Sequence, residues 1–208
     1  MDVAFTLYPG MTALDLVGPY EALANQPEVT AHFVAASPDP VRCDAGLVVT
    51  PTTTFDEMTA ADVIVVPGGS GWVGALDDGA VAAWLRRVHP AATWTTSVCT
   101  GALLLARAGI LDGRPATTHW AVHEELASLG VEVRADRVVV DGPVITAAGV
   151  SAGIDMALTL VGLIWGDERA EFTQLVLEYD PRPPYRAGSP ETAPAEVVAR
   201  ARAVLGER

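Results

Sequence analysis

The sequence predicts an α/β fold: a doubly wound domain with a mostly parallel central sheet and helices on both faces. Two patterns and one number carry that expectation. Short apolar runs alternate with longer helical patterns along the chain, as βαβ units require. Val63–Val66 is apolar on both sides, which suits a strand covered by helices above and below. Half of the 208 residues are apolar and 19% are charged, enough material for a buried core.

Taken in order, Val3–Tyr8 is a buried strand and Leu14–Ala24 a helix. Ala31–Ala36 is the second strand, and Leu47–Thr50 is a short strand after the loop around Pro38-Asp39-Pro40. Val63–Val66 is a run of four β-branched residues, stopped by Pro67-Gly68-Gly69-Ser70-Gly71. Val81–Val88 is helical, Thr93–Val98 a strand and Gly101–Ala108 a helix. Ala121–Leu129 is a helix, and Val138–Val140 and Val144–Ala148 are strands. Ser151–Trp165 and Arg169–Leu177 are helices, Pro181–Pro194 is a Pro-rich surface segment, and Pro194–Leu205 is a last amphipathic helix. No repeat, low-complexity tract or boundary interrupts the pattern, so residues 1–208 are expected to form one domain.

Charge and cysteine usage narrow the function. All thirteen positive charges are Arg, and twenty-six acids leave a net charge of −13. Such a surface repels phosphate backbones and argues against nucleic acid as a partner. Cys43 and Cys99 form no disulfide framework and no zinc spacing, which fits a reduced compartment. Met1-Asp2-Val3-Ala4 lacks the basic start and apolar stretch of a signal peptide. Ala152–Trp165 is interrupted by Asp155 and is too short to span a bilayer. A cytoplasmic protein with no membrane partner and a small-molecule substrate is the expectation.

In doubly wound sheets ligands bind beyond the carboxyl ends of the strands, and three such ends carry useful chemistry. In Thr96-Ser97-Val98-Cys99-Thr100-Gly101, Cys99 falls on a sharp strand-to-helix turn. The unpaired N–H groups and dipole of the following helix are expected to lower its pKa. Cys is also among the most buried residue types, so packing is the competing role. Pro67-Gly68-Gly69-Ser70-Gly71 is neither a Walker A nor a dinucleotide fingerprint. Alone it is a glycine turn, and beside Cys99 it offers oxyanion donors, notably the Gly69 N–H. Asp15, between Leu14 and Leu16, sits where an apolar setting raises a carboxyl pKa and suits it to proton transfer. Capping the helix that enters at Leu16 is the competing role. His119 and His123 have HxxxH spacing that can share a helix face, but no third ligand accompanies them and no metal is expected. Trp72, beside the glycine loop, is a candidate pocket wall.

These residues together resemble the ThiJ/PfpI superfamily (class I glutamine amidotransferase-like). The resemblance is carried by Ser97-Val98-Cys99-Thr100-Gly101-Ala102, Ala116-Thr117-Thr118-His119-Trp120, Val66-Pro67-Gly68-Gly69 and Leu14-Asp15-Leu16-Val17-Gly18-Pro19-Tyr20-Glu21. Gly149-Val150-Ser151-Ala152-Gly153 and Glu178-Tyr179-Asp180-Pro181-Arg182 extend it over nearly the whole chain. Within the superfamily the sequence most resembles the isonitrile (isocyanide) hydratase branch. The resemblance implies a flavodoxin-like sandwich, a homodimer, a nucleophile at Cys99 and a partner acid at Asp15. It implies a hydro-lyase that turns an organic isocyanide and water into an N-substituted formamide through a Cys99 thioimidate, without metal or organic cofactor. Thr100 then supplies a backbone donor and a hydroxyl that positions Asp15 or water. Thr100 also stands where the peptidase-like members carry His, which speaks against a protease dyad. His119 and Asp180 join Trp72 as possible pocket residues, with Asp180 serving either the site or the dimer interface. The rival readings are other thiol chemistry of the superfamily, glyoxalase-like with His119 or His123, and a non-enzymatic redox or ligand sensor using Cys99. Similar Cys-Thr-Gly and Thr-Thr-His-Trp segments occur in sensor domains of AraC-type regulators. Those carry a helix-turn-helix module, for which the residues after the Pro-rich segment leave no room.

Overall fold

The computed structural model describes residues 1–206. Its first half runs β1 (Asp2–Thr6), α1 (Ala13–Leu23), β2 (Thr30–Ala35), β3 (Val41–Arg42), β4 (Val48–Val49), β5 (Thr53–Thr54), β6 (Val63–Val66), α2 (Trp72–Asp78), α3 (Ala80–Val88), β7 (Trp94–Val98) and α4 (Gly101–Arg107). Then follow β8 (Pro115–Ala116), α5 (His123–Ser128), β9 (Glu132–Val133), β10 (Val138–Asp141), β11 (Val144–Ala147), α6 (Ala152–Trp165), α7 (Asp167–Val176) and α8 (Ala195–Gly206). Seven strands form one sheet in the order β10-β11-β7-β6-β1-β2-β5. Every pairing in it is parallel except that of β10 with β11.

Burial explains the sequence pattern. β6 lies in the middle of the sheet, and Val63, Ile64, Val65 and Val66 are all fully buried, hence a strand with no polar face. Beside α1, Phe5, Phe33 and Tyr20 form a ring cluster with centroids 5.4–5.8 Å apart, locking that helix onto β1 and β2. Trp84 of α3 is 1% exposed, stacks on Phe55 at 5.0 Å and gives its indole N–H to the Met58 carbonyl at 2.9 Å. α1 packs on α6 and α6 on α7, while α3 packs on α2 and α4. The expected doubly wound α/β sandwich is therefore present.

Several elements depart from the sequence pattern. Leu47–Thr50 contributes only β4, which pairs with β3 in a separate antiparallel hairpin rather than in the sheet. Trp72–Asp78 is a helix the pattern does not signal, because Gly74 and the closing Asp78-Gly79 interrupt its periodicity. The helix expected from Ala121 opens as a 3-10 turn, Trp120–Val122, before α5. His119 is the extended residue that caps that turn (φ −60°, ψ 134°) and His123 begins α5. The two imidazoles therefore do not share a helix face. No helix among the described residues is long and apolar enough to cross a membrane.

The loops after β1 and β6 cross at van der Waals distance. Gly71 donates its N–H to the Gly10 carbonyl at 2.9 Å. A Cβ on Gly71 would lie 2.0 Å from the Pro9 carbonyl oxygen, so no larger residue fits without parting the loops. Gly71→Ala is expected to destabilise the protein by about 1–3 kcal/mol, the usual cost of overpacking, as read by urea unfolding.

Candidate active site

From β1 the chain steps to β2 on one side, while β6 and β7 lie on the other, so the strand order reverses at β1 and β6. The loops after β1, β6 and β7 meet there, at the place where such sheets bind ligands. Cys99 follows β7 directly and has φ 58°, in the left-handed region that costs a non-glycine residue about 1–2 kcal/mol. Its neighbours hold it there. The Cys99 N–H is shared by the Ala147 and Ala148 carbonyls at 3.0 Å each, and its carbonyl accepts from Thr118 Oγ1 at 2.7 Å. This is the geometry of a nucleophile elbow, with α4 starting two residues on.

Asp15 sits in the first turn of α1, but Thr12 holds the cap position, so capping is not what the carboxyl does. The Asp15 side chain reaches across to the glycine loop, where Oδ2 accepts the Gly68 N–H at 3.0 Å. Oδ1 is buried and accepts no hydrogen bond from any N–H or O–H group among the described residues. A Cβ on Gly68 would lie 2.4 Å from the Thr100 nitrogen and 2.8 Å from Cys99 Cβ, so only glycine lets this backbone reach the acid while passing the elbow.

The electrostatics follow from burial. Asp15 is fully buried, and desolvation pushes its carboxyl from 3.8 up to about 7. The Gly68 and Cys99 hydrogen bonds oppose that rise, and the Asp44 charge adds to it. Burial, and then the charge of Asp15, also push the Cys99 thiol up. The N–H groups of Thr100 and Val150 pull the other way, the effect expected of the helix start, but burial outweighs them. The thiol is thus raised, opposite to the lowering that the helix start predicts. Tyr8 Oη donates to the Pro67 carbonyl at 3.1 Å, and burial holds its hydroxyl well above the usual tyrosine range.

Cys99, Thr100, Gly69, Trp72 and His119 line one cavity of about 470 Å³. Trp72, Val73 and Val122 give it an apolar wall. His119 Nδ1 accepts the Ala121 N–H at 3.3 Å, and burial lowers the imidazole pKa. Another cavity, behind the glycine loop around Leu7 and Phe55, is larger at about 680 Å³ but is lined by no cysteine and no histidine among the described residues.

Three expectations are corrected. The Gly69 N–H is not free for an oxyanion, since it donates to Thr100 Oγ1 at 2.9 Å. The Thr100 hydroxyl in turn donates to the Gly69 carbonyl at 3.2 Å and does not hold Asp15, which is held by Gly68. Asp180 does not line the cavity. It is exposed and paired with Arg182 at 2.7 Å, because the chain turns outward at Glu178 (φ 50°) after α7. Three further participants lie outside what sequence reasoning finds. Val150, at φ 29°, offers the second N–H to the sulfur. Asp44 is brought to the cavity by the β3–β4 hairpin and accepts from Thr12 Oγ1 at 2.5 Å. Tyr8 lies next to Asp15, Cys99 and Thr100 but lines the cavity behind the glycine loop rather than that of Cys99. Of these, only Val150 carries a signal, as part of the Gly149-Val150-Ser151 segment. Among the described residues, no group of three His, Cys, Asp or Glu side chains is placed to hold a metal ion.

A doubly wound sheet with a cysteine on a strained elbow and a buried acid beside it defines a class of cysteine-dependent α/β proteins. Residues 1–163 match the DJ-1/PfpI family, and the chain belongs to that family. It is a homologue of the isonitrile hydratase of Pseudomonas putida, 46% identical over 202 residues that cover 97% of this chain and 89% of that one. The crystal structure of a ThiJ/PfpI family protein from Pseudomonas syringae superposes with a TM-score of 0.96 at 41% identity, covering 99% of this chain and 86% of that one. The regulator CdhR of Pseudomonas aeruginosa is 32% identical over 178 residues, 81% of this chain but 52% of its own.

The raised carboxyl predicts a pH signature. Unfolded Asp15 titrates near 3.8 and folded Asp15 near 7, so the folded chain holds the extra proton between those values. Stability therefore falls as pH rises through that window, by about 4 kcal/mol in all. Asp15→Asn keeps an acceptor for Gly68 and never ionises. Its melting temperature is expected to gain on the wild type between about pH 4 and about pH 7. A difference that stays flat with pH would mean an ordinary carboxyl. The same variant removes the charge that opposes the thiolate, so Cys99 alkylation by iodoacetamide at pH 8 is expected to quicken.

Proposed function

We propose that this chain hydrates organic isonitriles to N-substituted formamides. The observation that carries the reading is a buried thiol hydrogen-bonded to a buried, protonatable carboxyl, with the thiol lining the cavity and the carboxyl behind it, in a chain so similar to an isonitrile hydratase. The terminal isonitrile carbon accepts both a nucleophile and a proton. Cys99 sulfur bonds to that carbon as Asp15 delivers a proton to it, and the thiol proton passes to the Asp15 carboxylate. The product is a thioimidate, R–N=CH–S–Cys99. Water then adds to the same carbon. Asp15 gives its proton to the nitrogen and takes one from the water, leaving R–NH–CH(OH)–S–Cys99. Collapse expels the thiolate, which the Thr100 and Val150 N–H groups receive, and releases R–NH–CHO as the hydroxyl proton returns to sulfur. No electrons are transferred, and Asp15 ends as it began.

The apolar wall of Trp72, Val73, Val122 and Leu205 supports an apolar substituent, while Asp44, Glu125 and Arg202 give the same cavity charges of both signs. A homodimer belongs to the same proposal, supported by the exposed apolar residues Phe172, Leu175 and Val176 on α7. So does a cytoplasmic location, supported by two free cysteines.

The test is steady-state hydration of cyclohexyl isocyanide, following formamide. Wild type is expected to turn over, Cys99→Ala to be inactive, and Asp15→Asn to lose about 100-fold or more in kcat, the usual worth of a general acid–base. Full activity in Cys99→Ala would end the covalent mechanism. An inactive wild type whose Cys99 is oxidised stoichiometrically by peroxide would favour the sensor.

A further inference from the structure

One wall of the Cys99 cavity comes from an element unlike the rest. Trp72, Val73 and Val122 belong to the body of the fold, but Arg202 and Leu205 belong to α8. α8 follows a long exposed segment that contains Pro181, Pro183, Pro184, Pro190 and Pro194. Among the described residues it packs extensively against no other element, whereas α1, α3, α4, α6 and α7 all do. A weakly packed, solvent-exposed helix belongs to the low-stability end of a structure, where lids are found.

Its attachment is specific. The Arg202 guanidinium lies 5.1 Å from the centroid of the Trp120 ring, a cation–π contact. Trp120 in turn packs on His119 at 5.4 Å, and Thr118, one residue before His119, holds the Cys99 carbonyl. Leu205 reaches the cavity yet stays 39% exposed. That is an apolar side chain at the edge of the reaction chamber, with surface left for a substrate group to cover.

We propose that α8 is a lid on the Cys99 cavity, and that Leu205, held in place by the Arg202–Trp120 contact, sets the size of the N-substituent accepted. The specificity part rests on the hydratase reading and the lid itself does not. A substituent attached to the isonitrile nitrogen points away from the sulfur once the carbon has bonded to it, toward the mouth where α8 lies. Substrates with a compact apolar group fit beneath Leu205, and extended ones need α8 displaced.

The experiment compares kcat/KM for naphthyl and methyl isocyanide in wild type, Leu205→Ala, Leu205→Trp and Trp120→Leu. Leu205→Ala and Trp120→Leu are expected to raise the naphthyl-to-methyl ratio about tenfold, within the range that a few methylenes discriminate, and Leu205→Trp to lower it. A ratio unchanged in all three variants overturns the specificity role. A second arm needs no isonitrile turnover: the rate of Cys99 modification by N-phenylmaleimide relative to iodoacetamide, read by mass spectrometry of the Cys99 peptide. That ratio is expected to rise in Leu205→Ala and Trp120→Leu. If it stays at the wild-type value, α8 is not a lid. If it rises while no isonitrile is hydrated, the lid stands and the hydratase reading falls.

Discussion

A carboxyl group sealed from water and bonded to a single backbone N–H is the constraint around which this molecule is arranged. Among the described residues, ionised Asp15 has no cation to offset its desolvation, and the nearby charge on Asp44 repels it. The fold resolves this by letting Asp15 keep a proton to about neutral pH. The thiol next to it meets the same difficulty. Two buried acids in contact cannot both ionise cheaply, so their titrations are one coupled event. The pair therefore tends to hold at least one proton between its two members. That makes it suited to a reaction in which a nucleophile and a proton must arrive at the same carbon.

Holding the pair together takes backbone groups and the hydroxyls of two threonines. The Gly68 N–H anchors the acid, Thr100 Oγ1 pins Gly69, and the Ala147 and Ala148 carbonyls fix the elbow. The strain at Cys99 persists because several hydrogen bonds, from β11, the residue after it and Thr118, over-determine its position.

How much of this is legible in the sequence follows from what each feature depends on. β1 and β6 are readable because mid-sheet strands leave continuous apolar runs, while β7 is buried through the small polar residues Thr95, Thr96 and Ser97. The switch-point rule then points to Asp15, the loop at residues 67–71 and Cys99, though the loop's bond to the acid comes from Gly68 rather than Gly69. The two-residue strands β5, β8 and β9 leave no periodic trace. Asp44 owes its place to a hairpin tip, and Val150, though its segment is recognisable, to a positive φ that a β-branched residue does not announce. The partners of Thr100 Oγ1 and Gly69 N–H depend on one rotamer, which spacing does not encode. The pKa of Cys99 moves against expectation because a helix start is visible in sequence, whereas depth of burial is not. Asp180 falls outside the cavity because a shared segment says nothing of which way its side chains face.

The order in which the chain is made gives the site's construction a further meaning. The acid, the glycine loop and the cysteine are synthesised in the first hundred residues, but the carbonyls and N–H that hold the elbow come at 147–150, and α8 comes later still. A nascent chain that has emerged only through Cys99 thus carries an unconstrained thiol, with no Val150 donor. The proposed chemistry switches on only once β11 has emerged and paired with β7. Activity is therefore a report on completed folding, and interrupted products contribute a cysteine without a catalyst.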